Sequence, residues 1–410
     1  MMIRLLAPVA PLLVGVAILL IGQGLQGTLL PLRANLEGFS TLTIGLMGGA
    51  YFLGFTLGCL RGSNLVRRVG HVRVFAAMTA AASAVPLLHG LWVDIWIWSV
   101  LRLVTGYCFA VLYVVIESWL NEQATNETRG AVFSAYTLIT LTMMAGGQQM
   151  LLLHPPQQMY LFAIASVLVS IAAIPVVLAG TATPEHHETA VRIDLPRMFR
   201  ISPAGALGSL TAGLTNGAFW SLAPVFVASY SSSLKITAGF MTAAVLGGAA
   251  GQWPLGLWSD RVDRRWVIVF AALVGTVIGL ALWWAGPAVT PAMLLALSAA
   301  WGATAFPLYS VSAAHANDYA RANEYVMISS GLLLMYGIGA IVGPFLASLA
   351  MEWVDAGGLY LFTALTHVLL AGYIVFRISQ RAPPPEEEHH PFSESLAATQ
   401  TASHVYEEER

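Results

Sequence analysis

Gly256-Leu-Trp-Ser-Asp260-Arg261-Val-Asp263-Arg264-Arg265 closes one long apolar stretch and opens another. A degraded copy, Ser63-Asn-Leu-Val-Arg67-Arg68-Val-Gly70, stands 193 residues earlier in the same kind of place. The echo extends in both directions. Gln23-Gly24 followed by Pro31 recurs at the same offset as Asn216-Gly217 followed by Pro224, and Thr43, Gly45 and Met47 recur as Thr237, Gly239 and Met241 at an offset of 194. One such match arises by chance; several at nearly one offset indicate that a unit of about half the chain was duplicated.

The nature of that unit follows from hydropathy. Hydrophobic residues make up 57% of the 410 and charged residues 10%, against roughly 25% charged in a soluble domain. The mean hydropathy is +0.72. A helix crosses a bilayer in about 20 mostly apolar residues, and twelve stretches qualify: 9–32, 42–61, 74–92, 95–119, 131–152, 158–180, 203–228, 237–258, 266–286, 291–313, 324–350 and 357–379. The repeat therefore joins two six-helix halves, 1–180 and 203–380. A polar linker at 181–202 contains Glu185, His186, His187 and Glu188, and a tail at 381–410 contains PPPEEEHHP and EEER. The tail's composition predicts disorder. The first apolar run is too long for a cleaved signal h-region and reads as a retained span. With an N-terminus in the cytoplasm, sixteen of the nineteen basic residues fall on that side, only Arg33 and Lys235 fall opposite, and Arg102 lies within a span. The positive-inside rule then places both termini in the cytoplasm.

These stretches resemble the major facilitator superfamily. Its signature G-x-x-x-D-R-x-G-R-R is matched after span eight by Gly256, Asp260, Arg261, Arg264 and Arg265, with Asp263 at the second glycine. After span two Arg68 and Gly70 match, while Arg67 stands where the pattern has aspartate. The span-four signature R-x-x-q-G is matched by Arg102 and Gly106. RLVTGYCFAVLYVVIESWL, GQWPLGLWSDR and LLLMYGIGAIVGPFLASLAM look like the YcaD-type branch of bacterial carriers. The resemblance implies the major facilitator fold, an all-α membrane protein of two pseudo-symmetric lobes in a bacterial inner membrane, and spans one, four, seven and ten lining a central cavity.

On that arrangement the cavity candidates are Gln23 and Gln26 in span one, Tyr113 in span four, Asn216 and Trp220 in span seven, and Trp301 and Tyr309 in span ten. Amides in spans also serve as interhelical glue. Arg102 and Glu117 are the charges placed well inside a span, where a charge costs roughly 2.5–3.5 kcal/mol on insertion scales. Fifteen residues separate them, about 22 Å along a helix, so they do not pair directly. Arg102 reads as an anion-binding group or a buried arginine bonded to carbonyls. Glu117 reads as a proton carrier or a partner of Arg68 or Arg73. In the loop motif, Asp260 is expected to face the start of span five near Thr128–Gly130, where a helix dipole favours an anion. Arg67, with its reversed charge, is expected to pair with Glu324. Gly339-x-x-x-Gly343-Pro344 reads as a packing and kink device, and span five carries no Gly-Pro pair of the antiporter type.

Neither a metal cluster, a cofactor motif, a P-loop nor an enzyme constellation is legible, and no basic patch suggests nucleic acid. The resulting expectation is a monomeric secondary carrier in the lipid bilayer that moves a small-molecule substrate by rocking its lobes. Proton coupling and uncoupled facilitated diffusion stay open as alternatives. A transporter-like sensor or scaffold acting through the tail is the rival from another class.

Overall fold

Long runs of Leu, Ala, Val and Ile interrupted by glycine dictate helices, since backbone groups in hydrocarbon must satisfy one another within the segment. The computed structural model describes residues 9–125, 128–178, 194–285, 289–321, 324–380 and Phe392. Among them twelve helices are long and apolar enough to cross a membrane: α1 Ala10–Leu36, α2 Thr41–Val69, α3 His71–Leu91, α4 Ile95–Gln123, α5 Arg129–Leu152, α6 Tyr160–Leu178, α7 Pro203–Tyr230, α8 Leu234–Ser259, α9 Arg264–Trp284, α10 Pro291–Asn317, α11 Met327–Trp353 and α12 Gly358–Gln380. The fold is all-α and multi-pass, as the hydropathy predicts. Residues 181–193 of the expected linker, and the tail apart from Phe392, lie outside the described residues.

Local chemistry sets the helix ends. Asp94 caps α4, accepting the Trp96 and Ile97 N–H groups at 2.9 Å each. Gly70 ends α2 at φ +93°, a conformation that costs a glycine little and other residues more. Pro307 lacks an N–H and breaks α10 into Pro291–Ala305 and Pro307–Asn317 at Phe306. Between α6 and α7 the short helix Leu195–Ile201 is capped by Asp194, which accepts the Arg197 N–H at 3.0 Å.

The chain forms two compact units. The first comprises residues 1–188 with 233–242, and the second 189–232 with 243–410. Glycine sets the packing inside each. A Cβ on Gly54 of α2 would lie 1.9 Å from the Leu103 carbonyl oxygen of α4, and one on Gly24 of α1 would lie 2.3 Å from that of Met144 in α5. In the second unit a Cβ on Gly247 of α8 would meet the Ala299 carbonyl of α10 at 2.0 Å, and one on Gly217 of α7 would meet that of Ala340 in α11 at 2.6 Å. Backbones this close are the small-residue packing by which helices associate in lipid. Gly339 and Gly343, predicted as a packing device, do the same for α11 against α7: a Cβ on either would lie 2.2 Å or 2.1 Å from a carbonyl oxygen of Leu210 or Leu214.

Candidate substrate and gating sites

The tight α2–α4 contact brings Tyr51 of α2 under Arg102 of α4. The guanidinium carbon lies 4.3 Å from the ring centroid, a cation–π arrangement. Arg102 is 8% exposed, and no ion pair to it is formed among the described residues. Gln23 of α1 ties the rings together: its Nε2 donates to the Tyr51 hydroxyl at 3.3 Å, and the Tyr113 hydroxyl donates to its Oε1 at 2.5 Å. Arg102, Tyr51, Gln23 and Tyr113 form one polar string inside the first unit. Tyr51, which the sequence reading did not single out, is its hinge. Nothing in the pattern around Tyr51 distinguishes it from a packed aromatic; only the approach of α2 to α4 does.

Glu117, three turns beyond Gly106 toward the end of α4, is half-buried and accepts the Tyr136 hydroxyl of α5 at 3.3 Å. Gln26 is buried, and its Nε2 has no hydrogen-bond partner among the described residues. Gln148 and Gln149 at the end of α5 hold Thr242: the Gln149 amide donates to its hydroxyl at 2.7 Å, and that hydroxyl lies 3.1 Å from Gln148 Oε1. These amides were also missed, because a glutamine at the end of an apolar run looks like an interfacial residue.

The second unit is built differently at corresponding helices. Trp301 is fully buried, stacked on Phe219 at 4.8 Å and edge-on to Phe306 and Tyr360 at 5.8 Å and 5.9 Å. Trp301, expected to line the cavity, thus packs into an aromatic cluster of the second unit. Trp220 stacks parallel on Phe306 at 5.7 Å and stays half-buried. Asn216 is buried with an unmatched Oδ1. Tyr309 meets Tyr336 edge-on at 5.3 Å.

In the loop motif, read from the sequence as a cytoplasmic gate, several residues find partners within their own units. Arg67 donates to Asn64 Oδ1 at 3.0 Å, and Arg68 is exposed. Glu324, expected opposite Arg67, is bound within its own unit by Arg197, whose Nε lies 3.0 Å from Oε1 and whose Nη2 closes the fork. The reason is packing: Met198 of the short helix is buried among Ile328, Leu332 and Met335 of α11, which delivers Arg197 to the start of that helix. Burial alone would raise the Glu324 carboxyl, but the Arg321 N–H and the Arg197 guanidinium outweigh it and hold it below the usual carboxylate range. Within the matched signature, Arg264 is wholly buried and forks between Asp318, at 2.8 Å, and Asp260, at 3.1 Å, with Ser259 Oγ at 3.0 Å. Arg265 binds Asp263, the residue that replaces the pattern's glycine, at 2.7 Å. Arg261 is exposed and Gly256 faces Phe392. Asp318 was not anticipated, because a lone aspartate at a span end carries no signal until its partner is known.

The family model of the Major Facilitator Superfamily matches residues 205–405. An MFS-type transporter of Enterobacter sp. (strain 638) is 30% identical over 84% of this chain and 89% of its own length. The transporter YcaD of Escherichia fergusonii is 26% identical over 87% of this chain and 92% of its own. The chain belongs to the major facilitator superfamily and is a solute transporter of that class. The nucleoside transporter NupG superposes with a TM-score of 0.78, at 14% identity over 89% of this chain and 99% of that one. The E. coli fucose:proton symporter FucP superposes with a TM-score of 0.57, at 15% identity over 91% and 99%. At such identities the likeness is one of fold.

Proposed function

We propose that the chain is a secondary active transporter of a bacterial inner membrane that moves a small polar or anionic solute by alternating access, with the proton as coupling ion. The observation that supports it is the polar string of the first unit. A buried guanidinium without a carboxylate leaves its donors available to a solute, and Tyr51, Gln23 and Tyr113 hold it in place. Glu117 is the carboxylate in reach of a membrane interior, held by the Tyr136 hydroxyl, and is the proposed proton carrier. Sixteen basic residues on one side support two cytoplasmic termini. A reporter fused after Gln380 should be active only as a cytoplasmic protein, and one inserted at Glu37 only as a periplasmic one; the reverse result would invert the reading.

The coupling test begins with a solute found by thermal shift against a panel that includes nucleosides, sugars and their acidic derivatives. Glu117→Gln in proteoliposomes should abolish accumulation under a pH gradient and leave exchange between preloaded vesicles nearly intact, because exchange moves no net proton. Accumulation at the unsubstituted rate would remove Glu117 from coupling and favour the uncoupled facilitator. Absence of any transported solute, together with a phenotype lost on removing residues 382–410, would favour the sensor or scaffold.

A further inference from the structure

Phe392 lies in a stretch whose composition predicts an unfolded tail, yet it is 4% exposed. It joins the hydrophobic cluster of Leu255 in α8, Val267 in α9, Leu308 in α10 and Ile374 in α12. Its ring occupies the space left by Gly256, the first glycine of the signature: a Cβ there would lie 2.2 Å from Phe392 Cδ1. Its N–H donates to Asp260 Oδ1 at 2.8 Å. Thus the signature's glycine receives the side chain and its aspartate receives the main chain of one residue. Eleven residues separate Gln380, the end of α12, from Phe392. They reach up to about 40 Å when extended, more than enough to return to the α8–α9 junction.

We infer that the α8–α9 signature is a docking site for the chain's own C-terminal tail, with Phe392 as the anchor. The chemistry of the site fits that occupant. A charged acceptor makes a strong bond to a main-chain N–H, and burying a phenylalanine is a large favourable term for a tail otherwise rich in proline, glutamate and histidine. A further consequence follows from Asp260. Its carboxylate already shares Arg264 with Asp318, so a docked tail takes the acceptor that the sequence reading expects to face the start of span five. Docking of the tail and engagement of Asp260 elsewhere compete, which makes the tail a built-in brake on any step that needs that aspartate.

Chymotrypsin tests docking on the full chain in detergent and needs no knowledge of the solute. The tail offers two aromatic sites, after Phe392 and after Tyr406, and the second serves as an internal standard. Each rate is normalised to the same bond in a synthetic peptide of residues 384–410. Docking predicts cleavage after Phe392 at least tenfold slower than after Tyr406. Gly256→Leu, which fills the seat of the ring, should bring the two rates together, and Asp260→Asn, which weakens the acceptor, should narrow the gap severalfold. If Gly256→Leu is not monodisperse, Asp260→Asn alone decides. Equal normalised rates in the unsubstituted chain overturn the inference. So does protection of Phe392 that persists unchanged in a folded variant, since it then has another source.

Discussion

Gly54 and Gly247 stand 193 residues apart and do the same thing in the two halves, each pressing α2 or α8 against a carbonyl of α4 or α10. Tyr51 and Ala244 are also 193 apart and do entirely different things: one carries Arg102 on its ring, the other only supplies a carbonyl beneath Gly302. The correspondence of contacts runs deep. Gly24 meets Met144 where Gly217 meets Ala340, and Gly106 meets Tyr51 where Gly302 meets Ala244. What duplication preserved is the set of positions where two backbones touch, because a side chain there would force helices apart. The chemistry placed on that frame diverged. Arg102 corresponds to Ser298, and Glu117 to Ala313, so the interior charges belong to the first unit alone. At the α2–α3 and α8–α9 junctions the balance reverses. Buried Arg264 with its two aspartates occupies the second unit, where the first has His71 hydrogen-bonded to Ser118 at 2.9 Å.

The shared frame is the part most sensitive to change. Gly54→Ala and Gly247→Ala should each cost about 3 kcal/mol or more, the upper range for overpacking, because the obstacle is a backbone oxygen that cannot rotate away. Both variants should lose most of the monodisperse protein recovered in detergent, to similar extents. Gly27→Ala, with nothing within 4 Å of the added carbon, should behave like the unsubstituted protein. Unequal losses at Gly54 and Gly247 would mean that the two contacts are equivalent in geometry but not in energy.

This division explains how much of the molecule was legible beforehand. Twelve spans, the repeat and the Gly339–Gly343 device all follow from period and composition, and the structure reproduces them. Gln23 and Tyr113 were picked as polar groups on spans near the cavity, and the structure does join them. Tyr51, Asp318 and Arg197 could not be picked, because each acquires meaning only from a partner 50 or more residues away. Trp301 and Glu324 show the reach of local packing: each is placed by analogy of position, and each has a neighbour within its own unit, Phe219 and Arg197.

The diverged chemistry gives the next contrast. Arg102→Ala removes the buried charge proposed to make charge-assisted bonds to the solute. Such bonds are worth roughly 1.5–3 kcal/mol, so transport should fall about ten- to a hundredfold. Ser298→Ala, at the corresponding place in the other half, should change it less than about threefold by the same reckoning. Arg102→Lys keeps the charge but not the flat fork lying on Tyr51, and should fall between them. Initial rates of solute uptake at matched protein incorporation provide the comparison. Equal losses at Arg102 and Ser298 would sink the idea that the first unit alone carries the charged part of the site.

The smallest effect expected separates the two halves by pH. Glu324 stands just before α11 in the second unit, and Thr128 stands 196 residues earlier, just before α5. Thr128 closes its turn with a neutral bond, its hydroxyl accepting the Thr125 N–H at 3.0 Å. The Glu324 carboxyl is held below its ordinary range by the Arg321 N–H and Arg197 against the opposing effect of burial. A depressed folded-state pKa contributes stability that is present above the unfolded value, about 4.3, and is lost as pH falls through the folded value. Arg197 is 47% exposed in its side chain, so solvent screens the pair and its contribution is at most about 1 kcal/mol. Arg197→Gln should therefore lower the apparent melting temperature by one or two degrees at pH 7, on the order expected for that energy. The difference should shrink as pH falls below about 4, where the unsubstituted protein loses the same interaction. Thr128→Ala should produce a shift that does not vary with pH. If the Arg197→Gln difference persisted unchanged at pH 3.5, the Arg197 contact with Glu324 would be packing of the guanidinium stem and not an ion pair.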